Sequence, residues 1–341
     1  VPGTAAFFSL TKHDTPETFY DLPYPNDLRL TPAGGPDLTG FPNPYAAVGI
    51  SDIVRSASDR KAFPVIPVAW FRFSGALPAL VDTDVIHAAA DAPILLVDVD
   101  PTGGEQGALI PVVARVLAVD DFTPENVLAV APRQGFVLRA GRKYAFVVKR
   151  SLRDAAGAEL GVPAEVAQLA AGQIPEGDAG AKAKALYENV FATVTGKLGL
   201  AADQIAVATT FTTADVVKEL ADLSGGILAR DSVTIDNIQV DPDGGADHDR
   251  YCQLVATVSY PQFQQGKPPF NTEGLFAFGA DGLPIEQRKE LAPVVLTLPK
   301  GQMPAGGYPL VTYFHGSGGD SYEVVDLGPK KTKTGEYEKG T

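Results

Sequence analysis

Over the first 60 positions apolar residues are interrupted every few places by Pro, Gly, Asn and Asp, most densely at Leu22-Pro23-Tyr24-Pro25-Asn26-Asp27. Proline fixes φ and withdraws a backbone donor, so residues 1–60 read as extended chain lying on another surface. From Phe63 to Lys149 the pattern changes to short β-rich runs: Val65 to Phe73, Ile94 to Val99, Ala108 to Val119, Val127 to Ala131 and Lys143 to Lys149. Turns such as Pro101-Thr102-Gly103-Gly104 and Arg139-Ala140-Gly141 separate them. This spacing predicts an antiparallel sandwich over 61–161.

Between 162 and 228 the period lengthens. Ala185, Leu186, Val190, Val194 and Leu198 fall on one helical face that stops at Gly199, and Val216, Val217, Leu220 and Leu223 repeat the pattern before Gly225-Gly226. Two helices are predicted, with the β-branched run Ile205 to Thr212 between them, so 162–228 reads as a helical connector or an insertion packed beside the sandwich. Strands return from 229 onward: Val233 to Val240, Gln253 to Tyr260, Pro293 to Leu298 and Tyr308 to Phe314. The fold class expected is mixed α/β.

Composition narrows the function classes. The 341 residues are 45% hydrophobic and 20% charged, enough for two domains with a sizeable core. A net charge of -13 without any basic stripe argues against nucleic-acid binding. A lone cysteine, Cys252, excludes an internal disulfide or a cysteine metal cluster and reads as a small buried hydrophobe. No run of about 18 apolar residues is present, so no membrane span is expected. Val1-Pro2-Gly3 in place of an initiator Met, with 28 Pro and 35 Gly, is compatible with a processed, exported bacterial protein, secreted, periplasmic or cell-surface.

Two segments resemble known families. Leu138 to Val148, with an inward Tyr144, followed by Leu152-Arg153-Asp154-Ala155-Ala156-Gly157, resembles the end of a bacterial Ig-like domain. Further on, two apolar strands, the second running into His315-Gly316-Ser317-Gly318-Gly319, resemble the start of the α/β-hydrolase fold over roughly residues 230 to 322. The family is that of secreted bacterial serine esterases and lipases with an N-terminal β domain. The resemblance implies an Ig-like β-sandwich, then the first strands of a hydrolase sheet in 229–341 that another chain completes.

Closely spaced glycines after a strand let backbone N–H groups converge on a developing negative charge. In acyl transfer such donors stabilise the tetrahedral intermediate, and losing one costs about 3 kcal/mol. In the hydrolase family one donor comes from the loop after the third strand. Carried over, that loop is Gly316 to Gly319, with Ser317 and Gly318 the candidate N–H donors and His315 bracing the loop. A tight strand exit is the plain structural alternative. A phosphate loop is disfavoured because no Gly-Lys-Ser/Thr follows.

No Gly-x-Ser-x-Gly elbow occurs in the sequence. Ser321, in Gly319-Asp320-Ser321-Tyr322, lacks the late Asp-x-x-His a Gly-Asp-Ser hydrolase would need, and His13, His87 and His248 assemble no triad. The expectation is therefore half of a catalytic site. A C-terminal chain of the same precursor would carry the Ser-His-Asp triad and act on an ester substrate, and the charged stretch from Lys330 to Thr341 reads as a cleaved loop. No cofactor is required. Asp241, Asp243, Asp247 and Asp249, with glycines between them, suit a structural calcium ion, although the closing Glu of an EF-hand is missing and a solvated turn satisfies the same pattern. The runner-up function is a noncatalytic secreted β protein that binds a polymer or a partner.

Overall fold

The computed structural model describes residues 3–339 except 12, 248–249, 271, 324, 326 and 331–336, and gives only the backbone of 327–330 and 337–339. The fold is mixed, with four α-helices and antiparallel sheets among the described residues. The chain divides into two compact units, Val1–Val217 and Lys218–Thr341.

The first unit contains α1 (Val48–Ser58), β1 (Ala69–Arg72), β2 (Ile94–Asp98), β3 (Leu109–Ile110), β4 (Val112–Val116), β5 (Val127–Pro132), β6 (Lys143–Lys149), α2 (Ala164–Ala170), α3 (Gly180–Gly196) and β7 (Ile205–Thr212). The strands form two sheets, ordered β1-β5-β4 and β3-β2-β6-β7. Phe71, Leu128 and Val130 of the first sheet share one core with Leu96, Phe146 and Phe211 of the second. β1 alternates buried and half-buried positions, as a one-sided strand does, whereas β2 is buried at every position and β7 at all but its last. Continuous burial follows from cover on both faces, and α2 and α3 pack on β7.

The run Ile205 to Thr212 thus belongs to the sheet, pairing antiparallel with β6. It lies within the first unit, which runs to Val217. The inward face of α3 is also rotated from the expected one. Ala183, Tyr187, Val190, Phe191 and Val194 are buried, while Ala185 is exposed and Leu186 half-buried. Tyr187 sets this rotation: its hydroxyl donates to the Ala208 carbonyl at 3.1 Å and accepts from Asn26 Nδ2 at 2.9 Å. A buried phenol needs such partners.

Asn26 belongs to the Pro-rich N-terminal segment, which contributes Phe8, Leu10 and Leu22 to the same core. A smaller cluster gathers Phe19, Tyr20, Leu38 and Val127. Tyr144 on β6 points inward, 3% exposed, and its hydroxyl accepts from the Arg139 N–H at 3.1 Å.

The second unit contains α4 (Lys218–Arg230), β8 (Ile235–Val240), β9 (Tyr251–Gln262), β10 (Arg288–Pro299), β11 (Leu327–Lys330) and β12 (Tyr337–Lys339). β10-β9-β8 form one sheet and β11-β12 a ribbon. β9 and β10 are matched from Tyr251↔Pro299 to Gln262↔Arg288 without a bulge. Cys252 lies half-buried in β9 rather than in a core, because this sheet is thinly covered. Among the described residues of this unit only the Ala256, Pro284 and Asp241 side chains are buried.

Residues 308–314 form no strand. Leu310, Val311 and Phe314 are 86%, 87% and 87% exposed. A β-branched, aromatic run has strand propensity, but a strand exists through a neighbour that takes its N–H and C=O groups.

Candidate functional site

The Gly-rich loop follows that exposed apolar run directly. The Gly319 N–H donates to the Gly316 carbonyl at 3.1 Å, closing a turn over 316–319. Gly318 sits at the turn's left-handed position, φ 82°, which side-chain-bearing residues adopt only with strain. A Cβ on Gly318 would meet open space, whereas one on Gly319 would fall 2.4 Å from Glu323 Oε2 and 3.0 Å from His315 Cβ. The backbone conformation thus calls for glycine at 318, while a side chain at 319 would have to displace the Glu323 carboxylate.

His315 is exposed and its Nδ1 donates to the Gly316 carbonyl at 2.9 Å, which holds the ring against the loop. Among the described residues neither the Ser317 nor the Gly318 N–H has a hydrogen-bond acceptor. The turn thus presents two adjacent backbone donors to solvent. Such a pair can bind an anion or the developing oxyanion of an acyl-transfer reaction when a second polypeptide surface excludes water from it.

The described structure brings this loop to the acidic turn. Tyr322 donates its hydroxyl to Asp241 Oδ2 at 3.3 Å, and Tyr313 donates its own to Glu323 Oε2 at 3.2 Å. Burial first, and then the Asp241 charge, push the Tyr322 phenol above its usual range. The role of Tyr322 escaped the sequence reading because its link to Asp241 spans 81 residues. The Asp320 Oδ1 caps the Tyr322 N–H at 2.8 Å.

Asp241 is already engaged. Its Oδ1 accepts from the Asp243 N–H at 3.0 Å and its Oδ2 from Gln253 Nε2 at 2.6 Å. The Asp243 N–H, followed by the Gln253 amide, holds its carboxyl below the ordinary carboxylate value. Asp241, Asp243 and Asp247 do not converge as a ligand group among the described residues. Asp249 and His248 lie outside those residues, as do Lys331, Lys333 and Thr341 of the expected processing loop. Because internal donors already occupy the Asp241 oxygens, millimolar calcium should leave the thermal unfolding midpoint unchanged. Scanning calorimetry with and without the ion checks this, and a rise of several degrees would restore calcium as a structural ion at this turn.

The other histidines lie in the first unit. His13 is half-buried, and burial followed by the Arg29 charge lowers its pKa below that of a free imidazole; its Nδ1 donates to the Thr18 carbonyl at 3.4 Å. His87 is exposed in a loop.

Comparison of the chain with family models, with curated protein sequences and with solved structures finds no match.

Proposed function

We propose that this chain is the N-terminal part of a secreted serine hydrolase of carboxylic esters, and that its second unit supplies the oxyanion loop, with the Ser317 and Gly318 N–H groups as donors. The observation that carries the reading is the conjunction of two unengaged backbone donors with an apolar lead-in whose Leu310, Val311 and Phe314 side chains are exposed. An α/β-hydrolase sheet places the strand before the oxyanion loop between parallel strands that come later in sequence, so further polypeptide would pair with 308–314. Covering Leu310, Val311 and Phe314 would contribute about 1.5–3 kcal/mol each. The thin burial of β8–β10 is consistent with a sheet that is part of a larger one.

In this reading a serine on the further polypeptide attacks the ester carbonyl and its proton passes to the triad histidine. The alcohol leaves with that proton, and water then releases the acid from the acyl-enzyme. The loop stabilises the oxyanion in both steps. The further polypeptide is proposed to carry the serine, the histidine and the acidic residue of the triad. The first unit would be the Ig-like domain; its two antiparallel sheets and the Tyr144 hydroxyl held by the Arg139 N–H support that assignment.

A fluorophosphonate probe tests the reading on the natural, complete protein. Covalent labelling of a serine outside residues 1–341 is the expected result. Labelling of Ser317 or Ser321 would overturn the assignment of the nucleophile, and absence of labelling would favour a noncatalytic binding protein.

A further inference from the structure

The first unit contains a cavity of about 380 Å³ whose walls are almost wholly apolar. Tyr24 and Trp70 form one wall, their rings stacked with centroids 5.2 Å apart, and Phe122 extends it. Ile50, Ile53 and Val54 of α1 line it as well. The Tyr24 hydroxyl and the Trp70 indole N–H are the only polar side-chain groups among the lining residues. Burial pushes Tyr24 up to about 12.

The helix that closes the cavity is bound loosely for an amphipathic element. None of its 11 residues is buried, and Ile53 is 69% exposed although its side chain lines the cavity. Ile50, Ile53, Val54 and Ala57 follow the i, i+3, i+4, i+7 spacing of a face made to be covered. Two non-glycine residues flanking the helix stand at left-handed backbone angles, Ala46 just before it at φ 47° and Ala62 a few residues after it at φ 52°. Such positions cost about 1–3 kcal/mol each and persist where surrounding structure enforces them, often around ligand clamps.

We infer that this cavity is a binding site for an unbranched acyl chain of a fatty acid or its ester, gripped between the Tyr24/Trp70 wall and α1. At about 30 Å³ per small group the space takes on the order of a dozen methylene-sized groups, which is a medium-length chain. The volume lies at the low end of natural ligand pockets. With no charged side chain in the lining, the carboxylate or ester head stays in water at the open mouth. The inference stands on this unit alone and does not depend on the hydrolase reading.

Trp70 is the only tryptophan of the chain, so its emission reports on this cavity alone. Titration of the protein with 12-bromododecanoate, kept below its micellar concentration, is expected to quench Trp70 saturably, with unbranched dodecanoate competing. Ile53→Glu places a charge in the wall at an exposed helical position that the fold tolerates. It should weaken binding at least tenfold with an unchanged thermal midpoint, while Ile53→Leu should bind as the parent does. Non-saturable quenching, equal quenching in Ile53→Glu, or saturable quenching by a brominated naphthalene that dodecanoate fails to displace would each overturn the acyl-chain assignment.

Discussion

Replacing Gly318 by proline is expected to lower kcat for ester hydrolysis by the complete protein about a hundredfold or more. The change removes the N–H, which corresponds to about 3 kcal/mol of transition-state stabilisation when one oxyanion donor is lost. It also forces φ to about -65° where Gly318 stands at 82°, so the neighbouring Ser317 N–H is turned away as well. Folding should be spared, since a Cβ at 318 meets no atom within 4 Å and the loop is exposed. Ser317→Ala is the matched control: it keeps both backbone donors and should leave kcat within about twofold, because the proposed role belongs to the main chain and not to the hydroxyl. The measurement is steady-state hydrolysis of a short p-nitrophenyl ester, with KM and kcat resolved separately. A donor used only in the transition state lowers kcat with little change in KM. A Gly318→Pro protein with kcat within threefold of the parent would remove this loop from the chemistry.

The elements that sequence patterning placed well are those whose stability is local or whose burial is one-sided. β-rich runs between turns placed β1 and β5, and β8, β9 and β10 lie within a few residues of the runs that announced them. Where tertiary cover decides, patterning fell short. Ile205 to Thr212 carried its strand signal plainly, but its membership of the four-stranded sheet depends on β6, more than 50 residues earlier, and on helices covering its outer face. On α3 the helix was legible and its orientation was not, because Tyr187 scores as half-polar until Asn26 and the Ala208 carbonyl satisfy its hydroxyl. For the candidate site, glycine spacing disclosed the turn at 316–319, since φ near 82° at Gly318 is a local requirement. The tether from Tyr322 to Asp241 joins two motifs that looked unrelated, and nothing in their spacing announces it.

The second large effect concerns stability. Phe211→Ala should destabilise the first unit by about 3–5 kcal/mol, the range for emptying an aromatic site in a close-packed core. Phe211 is fully buried near the end of β7, directly opposite Tyr144 of β6, and its ring stacks on Phe146 at 5.6 Å and meets Phe63 edge-on at 6.3 Å. Truncation would strip three aromatic neighbours of a partner at once. The backbone ladder to β6 and the bond from the Thr212 N–H to Asp27 Oδ1 hold the strand in place, so the void cannot readily collapse. At about 2–4 °C per kcal/mol for a unit of this size, the transition followed by Trp70 emission should fall by roughly 6–20 °C. Leu310→Ala, at an 86% exposed position, should move stability by no more than about 0.5 kcal/mol in the isolated chain. A Phe211→Ala midpoint within 2 °C of the parent would mean that β7 is not a core strand. The four-stranded sheet would then end at β6, and α3 would lose the surface on which its Tyr187 face depends.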